Sequence, residues 1–436
     1  PGAGAGDLYL VDAAPKPPAE LARFQVRLGD WQFPVSPKDE WRQMFADAWR
    51  MHRDHFYDRA MGGTDWPAVR RKYEPLLERV TDRQELADLM GQMIGEVSTL
   101  HSQVGAGDVR RGEDAVAPAF LGARFVRTDE GARIERIWRT DPERVSERSP
   151  LARPEVAAMA GETIVSVDGR AVKDVPDISV LLRDRAGKQV LLGIRGRDGV
   201  PRQAVAVPVA AAQETLLQRS DREWEKRARV EQVSGGRFGY IDLRAMGPRD
   251  LAVFAREFYP VADREGLVID VRGNGGGSID SIVIEKLMRR AWAYWQTRAG
   301  ALFPNMQSAF RGRLVVLVDH GTYSDGETFA EGVKRLGLGT VVGRRTSGAG
   351  VWLSDRNRLA DGGIARAAEA GQFGLDGAWL IEGRGVEPDV DVDNPPHESF
   401  EGKDAQLDRA LALLKESLAK DPMKMPGPMP YPAPGR

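Results

Sequence analysis

Residues 267–277, LVIDVRGNGGG, and residues 314–330, LVVLVDHGTYSDGETFA, decide how this chain folds. Each opens with a short, almost uninterrupted apolar run rich in β-branched residues, the pattern of a strand buried on both faces of a parallel sheet. GYIDL (Gly239 to Leu243) and TVVG (Thr340 to Gly343) read the same way, and helical stretches separate the first three of these strands and follow Ser324. The alternation predicts an α/β layered core.

The turns after the strands carry the chemistry. Ser324 stands between LVVLV and the helix predicted over SDGETFAEGVKRL, so its hydroxyl lies at a helix N-terminus that favours negative charge. Alone this is also what a helix cap looks like. In DVRGNGGG, consecutive glycines let backbone amides approach a reacting carbonyl. Gly277 is the preferred oxyanion donor with Gly276 the near alternative, and the amide of Asp325 is the second donor. No Gly-Lys-Ser/Thr follows the loop and its spacing is not GxGxxG before a helix, which argues against phosphate or dinucleotide binding. A serine hydroxyl needs a base, and of five histidines His101, in EVSTLHSQVG, is the candidate. His52 and His55 belong to an amphipathic helix, His397 to a loop, and His320 is the local rival.

Outward from the core, Ser36 is a candidate N-cap with Pro37 at the first helical position and Asp39 completing a capping box. Trp41, Met44, Phe45, Ala48 and Trp49 form one apolar face, a second helix starts near Asp65, and a third from Asp82 ends near Gly95. A base just after that helix is expected to be held by the scaffold. Residues 115–212 change to short β-like runs (ARFVR, RIERIW, ETIVSVDG, QVLLGIR, QAVAVPV) with a short helix near Asp177 to Arg183. Gly161 opens a turn and Asp168-Gly169 closes a hairpin, as in the peptide-binding PDZ module. A charged helix is expected over Glu214 to Glu231, AWLIEGRGVEPDVDV returns to strand-like alternation, and a closing helix covers Asp404 to Leu418. The expected domains are a residual β segment or linker (1–35, including DLYLVD and WQF), a helical subdomain (36–114), a PDZ-like domain (115–212), an α/β core (213–420) and an extended or disordered Pro-rich tail (421–436).

Composition narrows the partners. The chain has 436 residues, 62 Lys plus Arg, 64 Asp plus Glu and a net charge of -2, so nothing draws it to nucleic acid or anionic membrane. Cysteine is absent, which removes disulfides and thiolate chemistry. No apolar run approaches the ~18 residues of a membrane span, and PGAGAGDLYLVD lacks the features of a signal peptide. Starting at Pro1, the sequence reads as a fragment or processed form; a cytoplasmic chain and a periplasmic or secreted one whose upstream signal has been removed both fit. The histidines are too scattered for a metal site, and neither metal nor cofactor is expected.

Together these motifs resemble the core of the tricorn proteases, within the superfamily of the C-terminal processing proteases. GEVSTLH (Gly95 to His101) is similar to the family's Gly-Glu-x-x-x-x-His, Ser-Asp-Gly supplies the nucleophile Ser324, and EGRGVEPD puts Glu382 at the third catalytic position. The resemblance implies a crotonase- and caseinolytic-protease-like α/β spiral core with an N-terminal helical subdomain and an inserted PDZ-like β domain. It also implies an oxyanion hole of Asp325 and an NGGG glycine, peptide or unfolded-polypeptide substrates, homo-oligomers, and β-propellers upstream. In the related processing proteases a lysine is the base, whereas GRRTSGAG (Gly343 to Gly350) has Ala349 there, which leaves the task to His101. Leu100 replaces a serine that links His to Glu in the family; Ser98, Thr99, Ser102, a water, or Glu382 reaching the imidazole directly are the alternatives for that link. Around Tyr294 and Trp295 an acidic specificity residue is replaced by aromatics, which points to a more apolar substrate preference. The expected activity is serine-type peptide-bond hydrolysis. A catalytically weak, PDZ-type peptide-binding protein is the alternative, and a crotonase-type acyl-CoA enzyme leaves the PDZ-like insertion unexplained.

Overall fold

The computed structural model describes residues 8–16, 18–28, 34–105, 107–109, 112, 114–354, 358–424 and 426–431. They divide into two compact units, one of residues 1–97, 102–109 and 354–367, the other of 98–101, 110–353 and 368–436. The predicted WQF strand lies outside the described residues, while Leu8–Tyr9 pairs with Gln25–Val26.

The first unit is built on the helices Pro37–His55, Trp66–Tyr73 and Arg83–Gly95. Asp65 and Asp82 cap the second and third as their position predicts, accepting from Ala68 N and Glu85 N. Ser36 is the N-cap residue of the first, but Asp39 turns to Arg42 at 2.7 Å and no side-chain cap bond forms. The face Met44, Phe45, Ala48 and Trp49 is buried as its periodicity requires. Trp49 and Trp66 stack, and each indole N–H donates to the other's carbonyl at 3.0 Å. A segment from far along the chain joins this unit: the strand Ile364–Arg366 pairs with Gln103–Gly105, and Asp361 forms a buried ion pair with Arg83 at 2.5 Å. Contiguous pattern reading assigns that segment to the core, because pairing across so many residues leaves no local signal.

In the second unit, a six-stranded antiparallel sheet contains Ala123–Thr128, Gly131–Ile137, Thr163–Val167, Val190–Arg195 and Pro201–Ala206. Asp168 and Gly169 both adopt positive φ (49° and 78°), the two-residue turn that returns Val167 onto Arg170. The helix expected near Asp177 is a short 3-10 turn, Ile178–Leu182.

The helix Ala211–Ser234 leads into five parallel strands in chain order, Phe238–Asp242, Gly266–Asp270, Arg313–Val318, Thr340–Gly343 and Val390–Asp391. Pro248–Phe258, Asp280–Met288 and Asp325–Arg335 are the intervening helices. Ile269 and Val316 pack on one face of the sheet, and Val268, Val315 and Leu317 pack on the other with Leu407, Leu411 and Leu414 of the closing helix Ala405–Lys420. Both faces are therefore dry, which is why these strands read as continuous apolar runs. Asp270 accepts from Tyr240 Oη (2.7 Å), Lys226 Nζ (3.0 Å) and Arg272 (2.6 Å), and Arg272 also grips Asp404 at 2.8 Å. These cations hold the Asp270 carboxyl far below its ordinary range despite complete burial, and fix the strand end where the glycine loop begins.

Two expectations change. AWLIEGRGVEPDVDV yields only the strand Val390–Asp391, its earlier part forming turns with an isolated bridge between Phe373 and Trp379. The described part of the tail is extended but tethered, Met429 exchanging two hydrogen bonds with Gln296 and Tyr431 Oη donating to Thr297 O. No helix among the described residues is long and apolar enough to cross a membrane.

Candidate active site

His101 Nε2 and Ser324 Oγ are 2.9 Å apart. Both residues belong to the second unit: Ser98–His101 groups with the α/β core rather than with the helices that precede it in sequence. The local rival His320 is exposed and does not line the cavity around Ser324.

Ser324 has φ 56° and ψ -122°, a backbone region that a residue with a Cβ avoids. The strain turns the chain sharply from the strand into the helix and presents the hydroxyl to the imidazole, as in strained strand-to-helix nucleophile turns. Glu327, one turn into the helix and fully buried, holds this turn. It accepts from Ser324 N (3.0 Å), Ala349 N (2.8 Å), Gly348 N (2.7 Å) and Thr346 Oγ1 (2.5 Å). One carboxylate thereby binds the Ser324 turn to the GRRTSGAG segment. The Ser-x-x-Glu spacing of a capping box was the available signal for Glu327, and the sequence reading passed it over.

The glycine loop resolves into spent and unspent amides. Gly273 N donates to Asp319 Oδ1, Asn274 N to Val271 O, Gly275 N to Arg244 O, Gly276 N to Asn274 Oδ1 and Ser278 N to Met246 O. Gly277 N has no hydrogen bond among the described residues, and neither has Asp325 N at the first position of its helix. Thus the amide of Gly276 is committed while those of Gly277 and Asp325 are available. Gly276 serves differently: at φ 82°, a Cβ there would lie 2.5 Å from Ser324 Cβ and 2.9 Å from Oγ. Asn274, wholly buried, is a further residue not singled out by sequence; its side chain also donates to Leu243 O at 2.7 Å and shapes the loop.

The side chain of Asp325 points away from the serine, its Oδ2 accepting from Ile279 N (2.8 Å) and Asp280 N (3.0 Å). Burial and the neighbouring Asp280 push its carboxyl up to about 7.

Glu382 approaches the histidine segment through the backbone. Its Oε2 accepts from Gly350 N (2.8 Å) and Val351 N (3.0 Å), and the carboxylate is also hydrogen-bonded by the amide of Leu100. Tyr323 Oη donates to Leu100 O at 3.1 Å, and the Tyr323 ring packs 4.9 Å from the His101 ring. Leu100 therefore anchors its loop by main-chain groups while its side chain is exposed. His101 Nδ1, Ser102 Oγ and Glu382 Oε1 are buried and have no partner among the described residues, so no direct His101–Glu382 hydrogen bond forms. Burial lowers the imidazole to about 4 and raises the Glu382 carboxyl above its ordinary range.

A cavity of about 460 Å³ opens over the serine, lined by His101, Gly277, Ser324, Asp325 and Ala349 among others. Trp295 does not line it; it sits on the exposed hairpin Ala293–Gln296/Leu302–Asn305 beside the tethered tail, and Tyr294 lines a different cavity. Among the described residues no group of three or more His, Asp or Glu is arranged to hold a metal ion.

Residues 37–95 match the tricorn protease C1 domain, 119–211 the tricorn protease PDZ domain and 237–392 peptidase family S41. The chain belongs to the tricorn-type S41 peptidases, a serine-type class. It is 38% identical over 409 residues to tricorn protease homolog 1 of Streptomyces coelicolor, covering 93% of this chain and 38% of that protein. Identity to the tricorn protease of Thermoplasma volcanium is 30% over 395 residues, covering 89% of this chain and 38% of that protein. A crystal structure of the tricorn protease matches with a TM-score of 0.84 at 29% identity, over 91% of this chain and 38% of that one. The chain spans well under half the length of these relatives. The PDZ-domain match and the likeness to the tricorn protease structure support an α/β multidomain architecture with a PDZ insertion for this chain.

Proposed function

We propose that the chain hydrolyses peptide bonds of peptides or unfolded polypeptides through Ser324, His101 and Glu382. The observation that carries this reading is the 2.9 Å contact between His101 Nε2 and Ser324 Oγ beside two amides with no other partner. Ser324 Oγ attacks the scissile carbonyl carbon while His101 Nε2 takes its proton. The carbonyl oxygen gains charge facing Gly277 N and Asp325 N, fixed donors that need no reorganisation. The imidazolium returns the proton to the leaving amine, and water repeats the sequence on the acyl-enzyme. Glu382 acts by positioning, since its bond to the Leu100 amide supports the loop that carries His101. A crotonase- and caseinolytic-protease-type spiral for the core belongs to the same reading, supported by the parallel sheet in chain order and the glycine loop at its carboxyl end. So does assembly of several copies, by likeness to the tricorn protease.

Ser324→Ala is expected to abolish cleavage of a casein-derived peptide mixture and fluorophosphonate labelling while leaving the fold unchanged. Cleavage that persists in this variant refutes the assignment. The unpartnered Nδ1 of His101 favours one competing reading, a PDZ-type peptide-binding protein with weak catalysis. Failure of the wild-type chain to label would favour it.

A further inference from the structure

The cavity around Ser324 has a chemically mixed lining. Asp280, Ser281 and Thr328 contribute polar groups to it, and Trp352, Ala370 and Gly371 contribute an aromatic ring and small residues. Trp352 is paired across a two-stranded sheet with Ala370 yet stays 54% exposed. Past the cavity edge at Gln372 the chain turns into Phe373, 65% exposed, whose ring meets Trp379, 55% exposed, edge-on at 5.8 Å. Leu375 between them is fully exposed. A single apolar side chain in water is ordinary, but an exposed indole lining the cavity, followed directly after the lining residue Gln372 by the exposed Phe373, Leu375 and Trp379, is not. Because Trp352 lines the same cavity as the Ser324 hydroxyl, what fills that cavity must touch it.

We infer that this site selects peptides carrying a bulky apolar or aromatic side chain close to the scissile bond, held against Trp352 with the Phe373–Trp379 pair extending the platform. The inference rests on the peptidase reading for the position of the scissile bond. Aromatic rings are suited to the task because they offer large contact area at little conformational cost. Trp352 lines the cavity around Ser324 in this chain, whereas Trp295 does not.

The test uses the full chain and a set of fluorogenic peptides identical except for Ala, Phe, Lys or Asp at each position within four residues of the cleaved bond. Phe at one fixed position should raise kcat/KM about tenfold or more over Ala, and Trp352→Ala should remove most of that ratio. The Ala peptide is the internal reference, so a general loss of activity cancels. Binding is measured in parallel by fluorescence anisotropy in a Ser324→Ala background, where the Phe peptide should bind about tenfold more tightly than the Ala peptide. If the chain neither cleaves nor labels but this binding preference holds and needs Trp352, peptidase activity fails and the platform stands. Equal cleavage of all peptides, a preference for Lys or Asp, or a Phe preference that Trp352→Ala leaves intact overturns the platform while peptidase activity survives. If Trp352→Ala and Trp379→Ala instead convert an oligomer to monomers in sedimentation without changing the ratio, the surface joins copies of the chain and the inference is refuted.

Discussion

Lowering the pH from 7.5 to 5.5 probes the burial of His101 directly. The imidazole takes a proton from Ser324 only while neutral, and burial puts its pKa at about 4 instead of 6.5. An ordinary imidazole would be only about 9% neutral at pH 5.5, whereas one titrating at about 4 is about 97% neutral, a tenfold difference in competent enzyme. Asp325 also titrates in this interval, at about 7, but losing its negative charge beside the oxyanion favours the reaction. Acidification therefore should not slow the serine through either group. The assay is the rate of fluorophosphonate labelling at Ser324, which needs no knowledge of the substrate, with tryptophan fluorescence confirming that the chain stays folded. Labelling at pH 5.5 should match or exceed that at pH 7.5, and its acid limb should fall near pH 4. A roughly tenfold drop between 7.5 and 5.5 in folded protein, with a midpoint near 6.5, would refute this account of the site.

Gly276→Ala should lower kcat by about a hundredfold or more with Ser324 still present, because the added methyl meets the serine Cβ and Oγ and displaces the adjoining oxyanion donor. Steady-state kinetics with a circular dichroism control checks this, and near-wild-type turnover would contradict it. Glu327→Ala strands two loop amides, Thr346 Oγ1 and the Ser324 amide, and should cost ~3 kcal/mol or more in urea unfolding, with Glu327→Gln milder because one acceptor oxygen remains. His52, fully buried beside Trp66, is likewise lowered to about 4 by burial. Its folded pKa lies below the unfolded value, so the stability it permits is complete above pH 6.5 and is lost as pH falls toward 4, about 2 kcal/mol by pH 5. In His52→Asn the dependence of unfolding free energy on pH between 6.5 and 4 should flatten by about one proton; an unchanged slope would show that His52 is charged in the fold.

Several parts of this protein are legible in one dimension because their causes are local. The continuous apolar runs at 267–271 and 314–318 report burial on both faces of a parallel sheet, Asp65 and Asp82 report helix starts, and Asp168-Gly169 reports a turn that needs positive φ. Ser324, His101 and the glycine loop stand out through the resemblance of their segments to family motifs, since serine and glycine by themselves are common in the chain. Other parts are invisible in sequence for an equally physical reason. Asn274 works through a hydrogen bond to the distant carbonyl of Leu243, and backbone groups carry no residue identity; of Glu327 only the local Ser-x-x-Glu cap is legible, not its bonds to Gly348 and Ala349. That Trp295 sits on a hairpin beside the tail while Trp352 lines the cavity around Ser324 follows from tertiary contacts, not from their places in the chain.

The sequence by itself determined the strand and helix periods, the kinds of chemical group on hand, and the exclusion of a cysteine nucleophile, because these depend on side-chain type and spacing; that Ala349 leaves no lysine base is what the family resemblance implies. Only the tertiary structure decided that the imidazole from residue 101 meets the hydroxyl from residue 324, and that Gly277 rather than Gly276 keeps an unspent amide. It also decided that Glu382 reaches the Leu100 main chain instead of the ring. Which amide is already satisfied, and which ring is buried, depends on neighbours brought together by folding, and no local pattern encodes them.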